Sequence, residues 1–318
     1  MPYLLFLAAG LASAVLHLSV TTGPGGLFLL GYLASLPLFL AGLSLGAGAA
    51  LLSGLAGAAA VAVAASLLAG IVFFFAYAVP ATVLSRQGLL NRQDATGGTE
   101  WYPTGRLLLW LGGLGLVAVL LAFGLGALLA ERGLIGTLQT ALEPIYRELA
   151  DAGVLSVPEG SDPQALEAFF RATIAIVPGA VALLWMLTLL GNGALAQRIL
   201  ERAGRAQRPR GSFGMPLLPH AAAFAFAALS LAAAFLPGSA GAIAGNLAIV
   251  AALPFLVTGF GVVHALAHVT RYPTALLVGF YLIAAITVWP VLLVVVLGVF
   301  DVFQEVRLRL QRHSAKGV

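Results

Sequence analysis

LPLFLAGLSLGAGAALLSGLAGAAAVAVAASLLAGIVFFFAYAVPATVLSR occupies residues 36–86, and its terminal Arg86 is the first charged side chain of the chain. The eighty-five residues before it contain no Asp, Glu, Lys or Arg. A charge at the centre of a membrane helix costs about 2.5–3.5 kcal/mol on insertion scales, so an uncharged tract of this length suits a chain embedded in lipid. One helical span takes about 20 apolar residues, and the tract therefore holds several spans joined by short turns. The expected fold is an all-α polytopic membrane protein with eight or nine transmembrane segments.

Working outward, the remaining composition agrees. The chain is 61% hydrophobic and 9% charged, with a mean hydropathy of +1.03, where soluble domains are about 25% charged. Apolar segments fall near 3–20, 26–44, 46–69, 71–86, 107–130, 172–191, 217–236, 241–263 and 274–300. Turn chemistry separates several of them, as at Gly23-Pro24-Gly25-Gly26 and Pro237-Gly238. Residues 1–20 lack a basic leader, so the first segment is expected to remain as a helix. There is no Cys, which excludes disulfides and thiol chemistry. The fifteen Arg against one Lys fit a GC-rich bacterial source.

Charge divides the chain into three regions: a membrane bundle over 1–130, an acidic insert over 131–171, and membrane helices with a basic loop and tail over 172–318. The insert holds seven acids and three bases. Within it Leu134, Leu138, Leu142, Ile145 and Leu149 form a helical stripe interrupted by Pro144. Ser161-Asp162-Pro163-Gln164 reads as a second helix start that runs on through Leu166, Phe169 and Phe170 into the next span. The insert is expected to be a two-helix extracytoplasmic cap, about 134–150 and 162–171. Arg198, Arg202, Arg205, Arg208 and Arg210 form a basic loop, which belongs on the cytoplasmic side of a bacterial inner membrane. That choice also places Arg86, Arg92 and Arg106 inside. It leaves a conflict, because three apolar segments separate this loop from a tail carrying Arg307, Arg309, Arg312 and Lys316. Segment 274–300, broken at Trp289-Pro290, is the one expected to bend rather than cross straight.

Small residues line several faces. Gly46, Ala50, Gly54 and Ala58 repeat every four residues, as do Ala8 and Ala12, which lets helix backbones approach closely. Packing within the bundle is the commoner use, and docking of a membrane partner on Ala8 and Ala12 is the other. Intramembrane polar groups raise a functional question at His17, Asn246 and Asp301. Interhelical hydrogen bonding is the commoner role for an uncharged Asn or His, and Asp301 either pairs with Arg307 or lines a cavity. His264 and His268 have metal-ligand spacing, but Ala265 stands where a zinc protease carries Glu and no third ligand is evident. A hydrogen-bonding pair is the better reading. Tyr32, Tyr77, Asn246 and Tyr281 are candidates for a pocket. No catalytic constellation, cofactor motif or phosphate loop is present, so an enzyme and a self-energised pump are not expected. Nucleic acid is not expected as a partner.

The order of these features resembles the YybS-like family of bacterial integral membrane proteins. The relevant residues are Leu36-Pro37, Gly42, Gly46, Pro80, Phe213-Gly214, Pro216-Leu217-Leu218-Pro219, Gly259-Phe260 before His264, and Leu297-Gly298-Val299-Phe300-Asp301. The chain departs from that pattern in lacking Lys or Arg before its first helix. The resemblance implies a helical core like the substrate-binding subunits of energy-coupling-factor vitamin transporters, partnered by a separate ATPase complex. Read from the residues themselves, Tyr32, Tyr77, Asn246, His264, His268 and Asp301 are the binding candidates of such a subunit and Ala8 and Ala12 its partner interface, while Arg198, Arg202 and Arg205 are the partner interface of the other reading. The alternative is a non-catalytic scaffold that recruits partners through the insert and the arginine loop.

Overall fold

A computed structural model of the protein describes residues 2–22, 27–95, 97–152, 163–209, 216–307 and 309. The turn at Gly23-Pro24-Gly25-Gly26, the capping pair Ser161-Asp162, Phe213-Gly214, Arg210, Arg312 and Lys316 lie outside these residues. The elements run α1 (Pro2–Thr22), a 3-10 turn (Leu27–Leu33), α2 (Leu36–Leu45), α3 (Ala47–Ala64), α4 (Leu67–Phe73), a π turn (Phe74–Ala78) and α5 (Val79–Gly88). A hairpin, β1 (Asn91–Gln93) and β2 (Thr99–Trp101), precedes α6 (Thr104–Leu129), α7 (Gly133–Asp151) and α8 (Pro163–Arg202). Then follow α9 (His220–Phe235), α10 (Gly238–Ala251), α11 (Leu253–His268), α12 (Pro273–Ile286) and α13 (Trp289–Gln304).

Among the described residues the fold is all-α apart from that one hairpin, and polytopic. Six stretches among the described residues are long and apolar enough to cross a membrane, and the α12–α13 pair would make a seventh. Two further apolar helices, Leu29–Leu45 and His220–Phe235, are shorter. At 1.5 Å per residue the second spans roughly 24 Å, less than a hydrocarbon core of about 30 Å. All the apolar segments expected from sequence are helical, but by length the number of complete crossings falls from eight or nine to six or seven. The last segment bends as its Pro290 implies, by 118°. The break falls at Thr287–Val288, and Pro290 opens α13 in its first turn, where a missing N–H costs nothing.

Contacts gather the chain into two units, residues 1–111 with 185–218 and residues 112–184 with 219–318. This grouping follows packing, whereas the division at 130 and 171 follows charge.

In the first unit α1 lies against α3 through glycines. A Cβ on Gly10 would strike the Ser53 carbonyl, and one on Gly57 would sit 2.8 Å from the Gly10 carbonyl. Gly54 meets Ala78 and Gly70 meets Ala58 in the same way. The repeat Ala50, Gly54, Ala58 therefore packs inside the bundle. Gly46 does not share that face: at φ +98° it is the joint between α2 and α3, a conformation that favours glycine. Ser13 donates to the Ala34 carbonyl, and Asn192 donates to the Tyr32 carbonyl (2.7 Å) and to Ser35 Oγ (2.8 Å). These bonds hold the joint between the 3-10 turn and α2.

In the second unit α11 and α13 cross on a reciprocal pair of glycines. Gly259 rests on the Val294 carbonyl and Gly298 on the Phe255 carbonyl, with no space for a Cβ at either. Leu256, Val263 and Val294 form the buried core beside them. Helix α7 follows α6 after three residues and touches it where Gly126 meets Leu134. Its two expected helical parts are present, with α8 starting at Pro163, and α7 runs through Pro144 without a break. Leu134, Leu138 and Leu142 are half-buried, whereas Ile145 and Leu149 are exposed. Tyr146 stacks on Phe170 of α8, ring centroids 4.3 Å apart.

Candidate binding site

The first unit contains a slot of about 360 Å³ between α2, α5, the first turns of α6 and the last turns of α8. Its walls are Phe39, Leu43, Leu84, Leu107, Leu108, Leu111, Leu189 and Leu190. Thr104, Gln197, Arg198 and Glu201 supply its polar groups. The α8 wall follows from spacing: Leu189, Gly193, Gln197 and Glu201 recur every four residues, beside Leu190, Ala194 and Arg198. They share one face of the helix, and small residues at its middle leave the space that becomes the slot. A Cβ on Gly193 would meet only the Phe39 ring, at an ordinary 3.6 Å.

A polar cap sits at the same end of this unit. Arg208 is buried, donating to the Gly88 carbonyl at 3.1 Å with its guanidinium 5.7 Å from the Trp101 ring centre. Burial lowers its pKa, though an Arg remains charged. Gln197 Nε2 donates to the Arg208 carbonyl (2.8 Å) and to Glu201 (3.0 Å), and Gln207 Nε2 donates to the Ser44 carbonyl (2.7 Å). The hairpin under Trp101 is closed by Arg92 and Glu100 at 2.7 Å, with Glu100 holding Arg92 further toward the charged form. The basic loop is therefore not uniformly a surface. Arg198, Arg202 and Arg205 are exposed, but Arg208 is a structural bolt. These bonds bring the Arg86–Arg106 loop and the arginine loop to one end of the unit, as the charge reading requires.

The other candidates lie elsewhere. Tyr32 is exposed and contributes its carbonyl to Asn192. Tyr77 is half-buried, edge-on to His17 and close to Phe73. Asn246, buried in the second unit, accepts from the Gly179 N–H (2.5 Å) and donates to the carbonyls of Ala175 and Ala242, both at 2.7 Å. It is an interhelical clamp. His264 Nδ1–H donates to the Phe260 carbonyl at 2.8 Å, and its Nε2 accepts from Tyr281 at 3.4 Å; His268 is exposed. Asp301 pairs with Arg307: Oδ2 lies 2.8 Å from Nε and 2.7 Å from the terminal nitrogen, and Oδ1 accepts from the Arg307 backbone N–H. Both side chains are about 4% exposed, with Arg307 lying against Gly261. Ala8 and Ala12 are exposed on α1. Sequence reasoning passed over Asn192 and Gln197, and read Arg208 as one more arginine of a basic surface loop. The four-residue rhythm from Leu189 to Glu201 was the signal available for Gln197.

The family model described as "Predicted membrane protein (DUF2232)" matches residues 11–302, and the chain belongs to that family. No curated protein and no solved structure matches it. The family description agrees with an integral membrane protein in contact with the bilayer. The narrower likeness to the YybS-like family and to transporter binding subunits goes beyond it.

Proposed function

We propose that this member of the family is a small-molecule-binding membrane subunit, not an enzyme, whose ligand lies in the slot of the first unit. The slot carries this reading. Its 360 Å³ falls within the roughly 300–1,000 Å³ of ligand sites, which are mostly apolar with a few convergent polar groups. Transport is the use that fits a binder embedded in a bacterial inner membrane. Because the sequence has no phosphate loop, the ATPase that would energise it belongs to another chain. The exposed Ala8 and Ala12 of α1 offer that complex a face of close approach.

A second reading, a scaffold, draws support from the exposed Arg198, Arg202 and Arg205. The test is a thermal-shift screen of the purified protein against metabolites, beside its Gly193→Leu variant. A ligand present at a hundredfold excess over Kd adds about 2.7 kcal/mol to stability. The expected result is stabilisation of the wild type that Gly193→Leu abolishes, with an ATPase complex co-purifying in mild detergent. Absence of any ligand shift, together with partners lost only when the exposed arginines are reversed, would replace binding with the scaffold role.

A further inference from the structure

Resting on that reading of the slot, we infer that its ligand is a single-chain anionic amphiphile, a long-chain carboxylate. The anionic group sits at Arg198 and the chain lies along α8 toward Leu189. Length is the first argument. From Leu189 to Glu201 the α8 wall runs roughly 18 Å at 1.5 Å per residue, close to the roughly 15 Å depth of one hydrocarbon leaflet. One end of that wall carries every ionisable group of the slot, and the other is leucine alone. A molecule that fits must therefore divide the same way, polar at one end and apolar along its length.

Charge is the second argument. Glu201 accepts from Gln197, whose amide also donates to the Arg208 carbonyl. Among the described residues Arg198 makes no ion pair or hydrogen bond. Its guanidinium is thus uncommitted at the slot's polar end, and an arginine's planar fork is able to receive a carboxylate through two parallel bonds. A cationic head would meet the uncommitted Arg198 with like charge and find Glu201 already engaged by Gln197, and a neutral one would leave the fork unused.

The experiment measures binding of tritiated palmitate and tritiated hexadecanol, equal in chain length, to the full-length protein in a neutral maltoside detergent. The wild type is expected to hold palmitate at least about tenfold tighter, the order of one charged hydrogen bond. Arg198→Gln should erase that ratio while the melting temperature stays, since the side chain is exposed. Gly193→Leu should lose both probes, and Arg271→Gln, an exposed arginine of the other unit, should change neither. Equal affinity of the wild type for the two probes, or an unchanged ratio in Arg198→Gln, overturns the anionic ligand but leaves the slot as a binding site. So does failure of palmitate alongside stabilisation by some other metabolite in the screen. Failure of both probes and of the whole screen overturns the slot reading with it.

Discussion

Pro80 has no N–H, so the carbonyl of Ala76 four residues before it lacks a helical donor. The Trp185 indole N–H supplies one at 2.9 Å, and the π turn Phe74–Ala78 is the local distortion that exposes the carbonyl. Pro178 in α8 removes the donor of the Ile174 carbonyl and crowds that turn, so the neighbouring bond one residue on opens. There Asn246 takes the Ala175 carbonyl and the Gly179 N–H, two groups that an undisturbed helix would pair with each other. Gly179 is needed for that approach, because a Cβ would come 2.9 Å from the Asn246 Cα. Polar residues inside these spans therefore repair backbone left over by proline, which accounts for Asn246 without any ligand. The Asp301–Arg307 pair follows a different rule. Both charges are buried, so each depends on the other, and removing one strands its partner at a cost of about 3–5 kcal/mol. Asp301→Ala is expected to lower the detergent melting temperature sharply, and the double variant Asp301→Leu with Arg307→Met to recover much of the loss. If Asp301→Ala melts like the wild type, the pair does not hold α13 to the segment that follows it.

At the scale of elements, α7 is the most exposed to test. Leu138 and Leu142 are half-buried while Glu143 and Glu148 are exposed, so Leu138→Asp with Leu142→Asp should forfeit about 1 kcal/mol of apolar burial apiece. Glu143→Gln and Glu148→Gln should cost little, because the Glu143–Arg147 pair is solvent-exposed. Equal tolerance of both sets in a melting assay would remove the stripe from the fold. This helix was legible in sequence because its apolar residues keep a 3.6 period against charge, and that contrast survives in any environment. The bend before Trp289-Pro290 was legible for the same reason, since Pro acts through covalent structure. The hairpin at Asn91–Trp101 was not read. Its strands are three residues each, and its only cue was the Gly97-Gly98 turn between Arg92 and Glu100. Nor was the slot. In a lipid-facing helix both faces are apolar, so hydropathy cannot separate the wall of a cavity from the surface against lipid. Only the small residues Gly193 and Ala194 beside Gln197 and Arg198 mark it.

At the scale of the whole molecule, the ends of the helices decide which side of the membrane each loop occupies. The hairpin and the arginine loop are tied together through Arg208, Gly88 and Trp101, so they share one side whatever the membrane does. Helix α6 leaves that end as a 26-residue apolar helix, roughly 39 Å long and enough to cross. If α6 crosses, helix α7, with Glu143 and Glu148, is expected on the opposite side of the membrane. The basic bias of the arginine loop predicts that its side is the cytoplasmic one. The tail is the harder case, since Arg309 follows α9, the α10–α11 span and the bent pair α12–α13. With a 118° bend the last pair is able to return toward the side it came from, and a tail on the side of the arginine loop then requires the roughly 24 Å of α9 to cross where the bilayer thins to meet it. The Cys-free chain permits a direct test with single cysteines at Ala141, Ala203 and Arg309. An impermeant thiol reagent applied to intact cells should label Ala141→Cys alone, and the other two only after the membrane is opened. Labelling of Arg309→Cys in intact cells would mean that α12 and α13 complete a crossing despite their bend. Labelling of Ala203→Cys would invert the whole topology, and with it the side from which a ligand reaches the slot.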